Sequence, residues 1–230
     1  ANASKAPGSP SRRRRRSSGA GSAAGEVIAS GVIVGVALRG SVGTYAGRRR
    51  IFARQAPGVP IFLEQLDIAI IGGGAAGLAA AAFAGQAAGG RLRVAVLDGA
   101  RKLGAKILVS GGGRCNVTHR AVTPKDYWGG PQPMVRSVLR AFDEHRTVEW
   151  MRSLGVELKL EEPGKLFPVT DSARTVLDAL FGAVERSGVQ VRTGCRVEQI
   201  QPGNGWTVSL SGGSACHTRR LIMATGGLSL

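Results

Sequence analysis

The sequence predicts an α/β fold in which helices cover a parallel sheet. Three observations lead to this prediction. A short β-branched strand at residues 66–71 runs directly into a glycine-rich turn and an alanine-rich helix. A second apolar strand, at residues 91–97, follows that helix and ends at an acidic residue. From residue 189 onward the pattern changes to short strands separated by glycine turns. Strands that alternate with helices favour a parallel sheet, and the closing strands predict a β-meander.

Residues 1–60 differ in composition from the rest of the 230-residue chain. They carry eleven of the 31 basic residues and one of the 15 acidic residues, so most of the formal net charge of +16 lies there. Five consecutive arginines at positions 12–16 repel one another and stay solvated. Residues 1–25 contain too little apolar surface to fold alone. We therefore predict a disordered basic arm over residues 1–60 and a folded domain over residues 61–230.

The role of this arm is open from the residues alone. A basic, serine-rich start with few acids is typical of a transit peptide for plastid or mitochondrion, and the alternative is a disordered tail on a cytoplasmic protein. The apolar run at residues 27–38 is shorter than the roughly 20 residues of a membrane-spanning helix, so no transmembrane segment is predicted. The arginines lack interleaved aromatic residues, which argues against a nucleic-acid partner.

The turn at residues 72–77 (GGGAAG) has the spacing and context of a dinucleotide-binding turn. Gly72 allows the tight bend, Gly74 lets the backbone approach a pyrophosphate, and Gly77 lets the helix lie close to the sheet. The helix N-terminus adds unpaired N–H groups and the positive end of a dipole. Asp98, 21 residues after Gly77, is placed to bind ribose hydroxyls. The pattern predicts a dinucleotide site without separating FAD from NAD.

A second glycine cluster, SGGGRCN, follows at residues 110–116. Successive glycine N–H groups bracketed by Lys102, Lys106 and Arg114 predict a second anion-binding cradle. The amide of Asn116 can hydrogen-bond the edge of a heterocycle through both its C=O and its NH₂. The alternative for residues 110–113 is a flexible loop.

The three cysteines, Cys115, Cys195 and Cys216, form no CxxC pair and have no zinc-ligand spacing, so no metal site is predicted. Because Cys115 lies beside Arg114 and near lysines, the sequence predicts a lowered thiol pKa. A redox role would need a partner cysteine nearby, and none is close in sequence. We therefore favour a packed or cofactor-contacting cysteine.

The rest of the domain reads as two helical regions followed by strands. Helical spacing of apolar residues covers 133–154 and 172–187. The predicted strands are 189–192, 196–200, 206–210 and 219–224, with turns at 202–205 and 212–213.

Three stretches resemble the BaiN/YhiN-type flavoprotein family, a group of NAD(P)/FAD-dependent oxidoreductases described in part as aminoacetone oxidase-like. The most specific is KLGAKILVSGGGRCNVTH at residues 102–119. GKLFPVTDSA at 164–173 and ATGGLS at 224–229 are similar to two further segments of that family. The resemblance covers about residues 66–230 and leaves the first 60 residues outside.

The resemblance implies a Rossmann-type, two-dinucleotide-binding flavoprotein with noncovalent FAD, acting as an oxidoreductase of unknown substrate, with NAD(P)H as a candidate electron donor. It also implies that this chain is an N-terminal part, truncated before a substrate domain and a flavin-covering segment. By position, residues 72–77 would bind the pyrophosphate and Asp98 the adenosine ribose. Residues 110–116 would lie along the flavin side, and the backbone of Val197 would pair with adenine. The cofactor-binding residues implied are Gly72, Gly73, Gly74, Ala75, Ala76, Gly77, Asp98, Lys106, Ser110, Gly111, Gly112, Gly113, Arg114, Cys115, Asn116, Val197, Ala224, Thr225 and Gly226.

Two other classes of function stay open at this stage. An NAD-dependent dehydrogenase would use the first turn alone, which leaves residues 110–116 unexplained. A non-catalytic, flavoprotein-like scaffold or RNA-binding protein would use the basic arm, and its affinity would fall steeply with salt. The sequence predicts no catalytic residue, substrate or oligomeric state, and His119, His145 and His217 carry no supporting pattern.

Overall fold

The structure is a computed structural model that describes residues 24–29, 32–37, 64–127 and 131–227. Within these ranges the chain forms strands, α-helices and two short 3₁₀ turns, at Ser110–Gly113 and Pro124–Asp126. The strands are β1 (Ala24–Ala29), β2 (Val32–Ala37), β3 (Glu64–Ile71), β4 (Val94–Leu97), β5 (Thr118–His119), β6 (Leu158–Glu161), β7 (Lys165–Pro168), β8 (Gln190–Arg192), β9 (Val197–Gly203), β10 (Gly205–Leu210) and β11 (Ala215–Met223). The helices are α1 (Ala75–Ala88), α2 (Ala105–Val109), α3 (Gln132–Ala141), α4 (Glu144–Ser153) and α5 (Ala173–Arg186).

The main sheet has eight strands, and four neighbouring strands of it are parallel. Its order is β1-β2-β11-β3-β4-β8, with β10 paired to β11 and β9 paired to β10. Strands β11, β3, β4 and β8 run parallel, whereas β9, β10 and β11 form an antiparallel meander. The predicted α/β class is therefore confirmed. The predicted β-meander is confirmed for β9, β10 and β11, whereas β8, the first of the four closing strands, pairs parallel with β4.

The sheet is buried on both faces, which explains the continuous apolar character of its central strands. On one face, Ile70 of β3 and Val96 of β4 pack against α1 and α5. On the other face, Leu97 packs with residues of β10 and β11 such as Val208. Helix α1 approaches closely because it is built mainly of small residues, and Ala81 on its packing face is fully buried.

Several predicted boundaries shift. The first helix begins at Ala75, inside the glycine-rich turn at residues 72–77, and Gly89 ends it in a left-handed conformation. The helical region at 133–154 is two helices, because the carboxylate of Asp143 accepts a hydrogen bond from the Arg146 backbone N–H at 2.9 Å and starts α4. Helix α5 and the last four strands lie where the sequence predicts them, although β11 begins earlier, at Ala215.

A second, three-stranded antiparallel sheet, ordered β5-β7-β6, was not predicted from the sequence. Its strands have only two to four residues, which is too short for an alternating pattern to be recognised. Strand β7 contains the KLFP part of the family-like stretch at residues 164–173.

Strands β1 and β2 fall inside the segment predicted to be a disordered arm. They pair with each other, and β2 pairs antiparallel with β11 at the edge of the main sheet. The β-branched residues of the two strands favour this pairing. The division into a basic arm over residues 1–60 and a folded domain over residues 61–230 stays a prediction. The arginine run and the predicted transit peptide otherwise lie outside the described residues. Across the described ranges, the chain forms no helix of the length and apolarity needed to cross a membrane.

Candidate dinucleotide-binding site

The turn between β3 and α1 requires glycine at two positions for reasons internal to the fold. Gly72 has φ +105°, and a Cβ there would collide with the carbonyl oxygen of Ala224 at the end of β11. A Cβ on Gly77 would collide with the carbonyl oxygen of Gly72. These two glycines therefore allow the turn to fold back on the helix and to lie against β11.

Gly74 differs from its neighbours. Its φ is −79°, which any residue can adopt, and a Cβ there would meet no atom within 4 Å. Gly74 also lines the cavity described below. The protein's own packing does not need glycine here, so the space beside Gly74 remains available to a ligand.

The N-terminus of α1 points its backbone N–H groups at this space. Gly74 is the N-cap, no side chain caps the helix, and the first turn holds no acidic residue. Unpaired N–H groups and the positive end of the helix dipole therefore remain for an anionic group.

Asp98 lies directly after β4, as predicted. One carboxylate oxygen, Oδ2, accepts a hydrogen bond from the Gly73 backbone N–H at 2.6 Å, and Oδ1 accepts one from Ala100 at 2.7 Å. The carboxylate is therefore hydrogen-bonded to the backbone of the glycine turn. Each oxygen has a further lone pair, so it can still accept a hydrogen bond from a ribose hydroxyl.

The second glycine cluster forms a tight left-handed loop. Gly111, Gly112 and Gly113 all have positive φ, from 57° to 86°, and so does Cys115, at 64°. The Cys115 backbone N–H donates to the Ser110 carbonyl oxygen at 2.9 Å and closes the loop. Cys115 adopts a conformation that is uncommon for a residue with a side chain, so the surrounding structure must hold it there.

Asn116 follows this loop and carries an unsatisfied polar atom. Its Oδ1 is buried and has no hydrogen-bond partner within the described part of the chain, and the residue is one of those that line the cavity. Buried polar side-chain atoms nearly always have a partner in folded proteins. The carbonyl oxygen of Asn116 is therefore placed to accept a hydrogen bond from a ligand.

The three cations expected to bracket this loop do not act together. Lys102 and Lys106 line the cavity, and Lys106 Nζ donates to the Gly227 carbonyl oxygen at 2.5 Å. Arg114 instead contacts Glu161 at 2.9 Å, away from the cavity. The prediction of an anion cradle that includes Arg114 is wrong, because an acidic partner from another part of the chain binds its guanidinium.

The pKa of Cys115 moves opposite to the sequence-based prediction. Burial raises the pKa of its thiol, and a hydrogen bond with Ser110 offsets only part of that effect. The predicted lowering is wrong because Arg114 is directed at Glu161, and a buried thiol pays the desolvation cost of becoming charged. Cys115 is therefore a packed residue that contacts the cavity.

One large cavity connects these groups. Its volume is about 1220 Å³, above the roughly 300–1,000 Å³ of ordinary small-ligand pockets. Thirteen of the predicted cofactor-binding residues line it: Gly72, Gly73, Gly74, Ala75, Ala76, Asp98, Lys106, Ser110, Cys115, Asn116, Ala224, Thr225 and Gly226. Six do not: Gly77, Gly111, Gly112, Gly113, Arg114 and Val197. The role of the Val197 backbone toward adenine stays a prediction.

An aromatic cluster on the cavity wall was missed by sequence reasoning. Phe83 stacks on Trp150 with ring centroids 4.8 Å apart, and Phe142 contacts both rings edge-on. All three side chains line the cavity. The apolar spacing at residues 133–154 predicts helix only, and Phe83 stands alone in an alanine-rich helix, so neither signal indicates a cavity wall. Among the described residues, no group of three or more His, Cys, Asp or Glu side chains is placed to hold a metal ion.

Comparison with known proteins finds a family model that matches this chain and several proteins of similar sequence. Residues 66–230 match the model of the HI0933-like protein Rossmann domain. The chain is 37% identical over 169 residues to a ribosomal RNA dihydrouridine synthase from Escherichia coli K12, covering 73% of this chain and 41% of that protein. It is 36% identical over 160 residues to a 3-dehydro-bile acid delta(4,6)-reductase from Clostridium scindens, covering 70% of this chain and 39% of that protein. The chain thus spans about two fifths of the length of these relatives.

Among solved structures, the fold is similar to that of a 3-ketosteroid-delta4-(5alpha)-dehydrogenase from Rhodococcus jostii RHA1. The TM-score is 0.53 at 18% identity, with 75% of this chain and 48% of that chain covered. At this identity the likeness concerns the fold, and it agrees with the parallel sheet and meander described above.

Proposed function

Because the chain belongs to the HI0933-like family, whose Rossmann-domain model matches residues 66–230, we propose that it binds FAD noncovalently and belongs to an FAD-dependent oxidoreductase. The observation that carries this proposal is the single cavity that connects the glycine turn, Asp98 and the unsatisfied Asn116. A site for the pyrophosphate alone would not need an unpaired amide oxygen beyond the turn.

The residues present fit FAD in three places. Gly74 leaves free the space that a Cβ would fill, beside the N-terminus of α1, and this suits a pyrophosphate. The Asp98 carboxylate suits a ribose. The buried Oδ1 of Asn116 suits an N–H group, which the edge of a flavin ring offers.

The strand order supports a direction for the cofactor. The glycine turn follows β3, Asp98 follows β4 on one side of it, and residues 224–226 follow β11 on the other side. Ligands of open α/β sheets bind beyond the carboxyl ends of the strands. If Asp98 holds the adenosine ribose, the flavin half extends over the end of β11, where Lys106 of α2 contacts Gly227.

FAD, when bound, supplies the redox chemistry, and the protein positions and shields it. In this arrangement Asn116 would hold an N–H of the flavin ring, while Ala224, Thr225 and Gly226 would pass beside it. The apolar wall of the cavity, including Met134, Val138 and Leu139, would exclude water from that space.

The names of two relatives favour one reaction class. A dihydrouridine synthase saturates a ring C=C bond of uridine, and a delta(4,6)-reductase removes C=C bonds of a 3-keto acid. In both, a hydride and a proton add across a C=C bond conjugated with a carbonyl group. We therefore propose that the whole protein reduces a conjugated C=C bond, with NAD(P)H as the candidate source of the two electrons.

A half-reaction tests this proposal. The FAD-loaded protein is photoreduced without oxygen and mixed with either a 3-keto-4-ene steroid or a uridine-containing RNA oligonucleotide. Return of absorbance at about 450 nm reports loss of electrons from the flavin. We expect one of the two probes to restore this absorbance faster with the protein-bound flavin than with free reduced FAD.

The outcomes separate the cofactor from the reaction class. Bound flavin that neither probe reoxidises faster than free flavin would contradict the reaction class and leave the cofactor standing. Failure of the protein to take up FAD would contradict both.

A further inference from the structure

Arg114 makes a set of contacts that the proposed cofactor site does not use. Its Nη1 contacts both carboxylate oxygens of Glu161 on β6, at 3.0 and 2.9 Å. The same nitrogen lies 3.4 Å from Asp171, and the guanidinium carbon lies 4.1 Å from the centre of the Phe167 ring on β7. The side chain of Arg114 thus contacts both four-residue strands of the second sheet, β6 and β7.

Lys159 completes this cluster. Its Nζ lies 2.6 Å from Asp171 and 3.3 Å from Glu161, so two cations alternate with two carboxylates. The four side chains are between 33% and 45% exposed, and exposed ion pairs contribute little to stability. A stacked and ion-paired guanidinium nevertheless has a fixed orientation, which a lysine at that position would lack.

The second sheet holds the same loop at two further points. The Val117 backbone N–H donates to the Leu166 carbonyl oxygen of β7 at 2.9 Å. The Phe167 ring is buried against Gly111, where a Cβ would lie 2.7 Å from Phe167 Cε1. Strand β7 therefore supports the loop away from the cavity, while Ser110, Cys115 and Asn116 face it.

We propose that Arg114 is a positioning residue for the flavin half of the bound cofactor, an inference that rests on the proposed function. Arg114 does not line the cavity, but the next two residues do. Cys115 is held at φ +64°, and this conformation sets the direction in which the backbone continues into Asn116. The contacts of Arg114 with Glu161 and Phe167 keep the loop in this shape, so they act on the flavin ring through Asn116.

This mechanism makes a selective claim about the two halves of FAD. The glycine turn and Asp98 would hold the pyrophosphate and adenosine. The contacts of Arg114 do not connect either of them to the second sheet. Loss of Arg114 should therefore weaken the hold on the flavin ring and leave the hold on the ADP half unchanged.

The test compares FAD with ADP as calorimetric ligands of the 230-residue chain. For Arg114→Met we expect FAD affinity to fall by about tenfold or more, with ADP affinity within about twofold of wild type. Arg114→Lys, which keeps the charge but loses the stacked plane, should fall between the two. The visible circular dichroism of bound flavin should also change shape in Arg114→Met.

Arg219→Met is the matched control, because Arg219 pairs with Asp67 at 3.6 Å and neither residue lines the cavity. It should leave both affinities unchanged. Glu161→Gln provides a second route to the same result if Arg114→Met does not fold, since it removes the carboxylate and leaves the guanidinium on Phe167. It should show the same selective loss of FAD.

Three results would overturn the inference. Equal FAD affinity in wild type and Arg114→Met would show that the contacts of Arg114 do not affect binding of the flavin ring. Equal losses for FAD and ADP would show that Arg114 is merely structural. If the wild-type chain binds neither ligand, the proposed function fails first, and that is visible without any variant.

Discussion

At the scale of single residues, the glycine turn contains two glycines that the fold itself requires and one glycine that it does not require. Gly72 and Gly77 are needed because a Cβ at either position would collide with a backbone oxygen. Gly74 has an ordinary φ and open space where its side chain would be. The turn therefore offers one position at which a substitution can affect ligand binding with little effect on folding.

Gly74→Ala should fold and bind FAD poorly. The alanine methyl group would occupy the space beside the N-terminus of α1, so we expect FAD affinity to fall by about tenfold or more. Alanine in place of an N-cap glycine should cost less than about 1 kcal/mol of stability. Calorimetric titration and thermal melting measure the two effects. Gly203→Ala, at an exposed and uncrowded position of β9, is the control and should change neither. A Gly74→Ala protein that binds FAD normally would exclude this position from the pyrophosphate site.

Cys115 should behave as an unreactive thiol. Burial raises its pKa, and burial raises the pKa of Cys216 to about 11. Since the thiolate is the form that reacts, a raised pKa lowers the reactive fraction at a given pH. We expect iodoacetamide to modify both at pH 8 about tenfold or more slowly than the more exposed Cys195, with rates still rising above pH 9. Mass spectrometry of the labelled protein measures this, and rapid labelling of Cys115 below pH 8 would contradict it.

Spacing along the chain indicated those cavity-lining residues whose partners lie close in sequence, whereas residues 224–226 were indicated by the family resemblance. The turn at 72–77 and Asp98 belong to one strand–helix–strand unit, so spacing alone indicates them. Arg114 was misplaced because its partners, Glu161 and Asp171, lie 47 and 57 residues away. Nothing in the local pattern distinguishes an arginine that binds a ligand anion from one that binds a distant carboxylate.

At the scale of elements, the second sheet is the main feature that the sequence did not predict. Strands β6 and β7 have four residues each, and β7 ends in Pro168, a residue that disfavours strand assignment. Their pairing depends on a hairpin and on contact with the 110–116 loop, and both are tertiary features. The helices were easier to predict because their apolar residues recur over ten or more positions.

The ion-pair cluster of this sheet should make stability depend on pH in the acid range. A hydrogen bond from Arg114 lowers the pKa of Glu161, and one from Lys159 lowers the pKa of Asp171. Because the folded values lie below the unfolded ones, the contribution is present above about pH 4 and is lost as pH falls through the lowered values. Wild type should therefore lose melting temperature more steeply below pH 4 than Glu161→Gln/Asp171→Asn. Parallel melting curves across that range would contradict this assignment.

The packing of α5 on the sheet should dominate stability at this scale. Leu177 is 1% exposed in the core between α5 and the sheet. Leu177→Ala should lower the free energy of unfolding by about 2–5 kcal/mol, since it removes buried methyl groups and leaves a cavity. Leu160→Ala, at a position 49% exposed on β6, should change it by less than about 0.5 kcal/mol. Urea denaturation measures both, and equal effects would mean that the core is not where the structure places it.

At the scale of the whole molecule, the fold brings distant residues to one edge of the main sheet. The glycine turn, Asp98 and residues 224–226 each follow a parallel strand, and β11, β3 and β4 are neighbours. A parallel sheet collects the carboxyl ends of its strands at one edge, which explains this convergence. From the sequence, the place of residues 224–226 beside the cofactor was implied by the family resemblance. The sequence did not predict the aromatic wall, which joins Phe83 of α1 with Phe142 at the C-terminal end of α3 and Trp150 of α4.

The central claim is that this edge binds FAD rather than NAD. Calorimetric titration of the purified chain with FAD, with NAD⁺ as competitor, tests it most directly, and the spectrum of the complex checks the cofactor. We expect one FAD per chain, absorbance bands near ~370 and ~450 nm, and no displacement by NAD⁺. A chain that takes up no FAD, or one from which NAD⁺ displaces it, would contradict FAD binding at this edge.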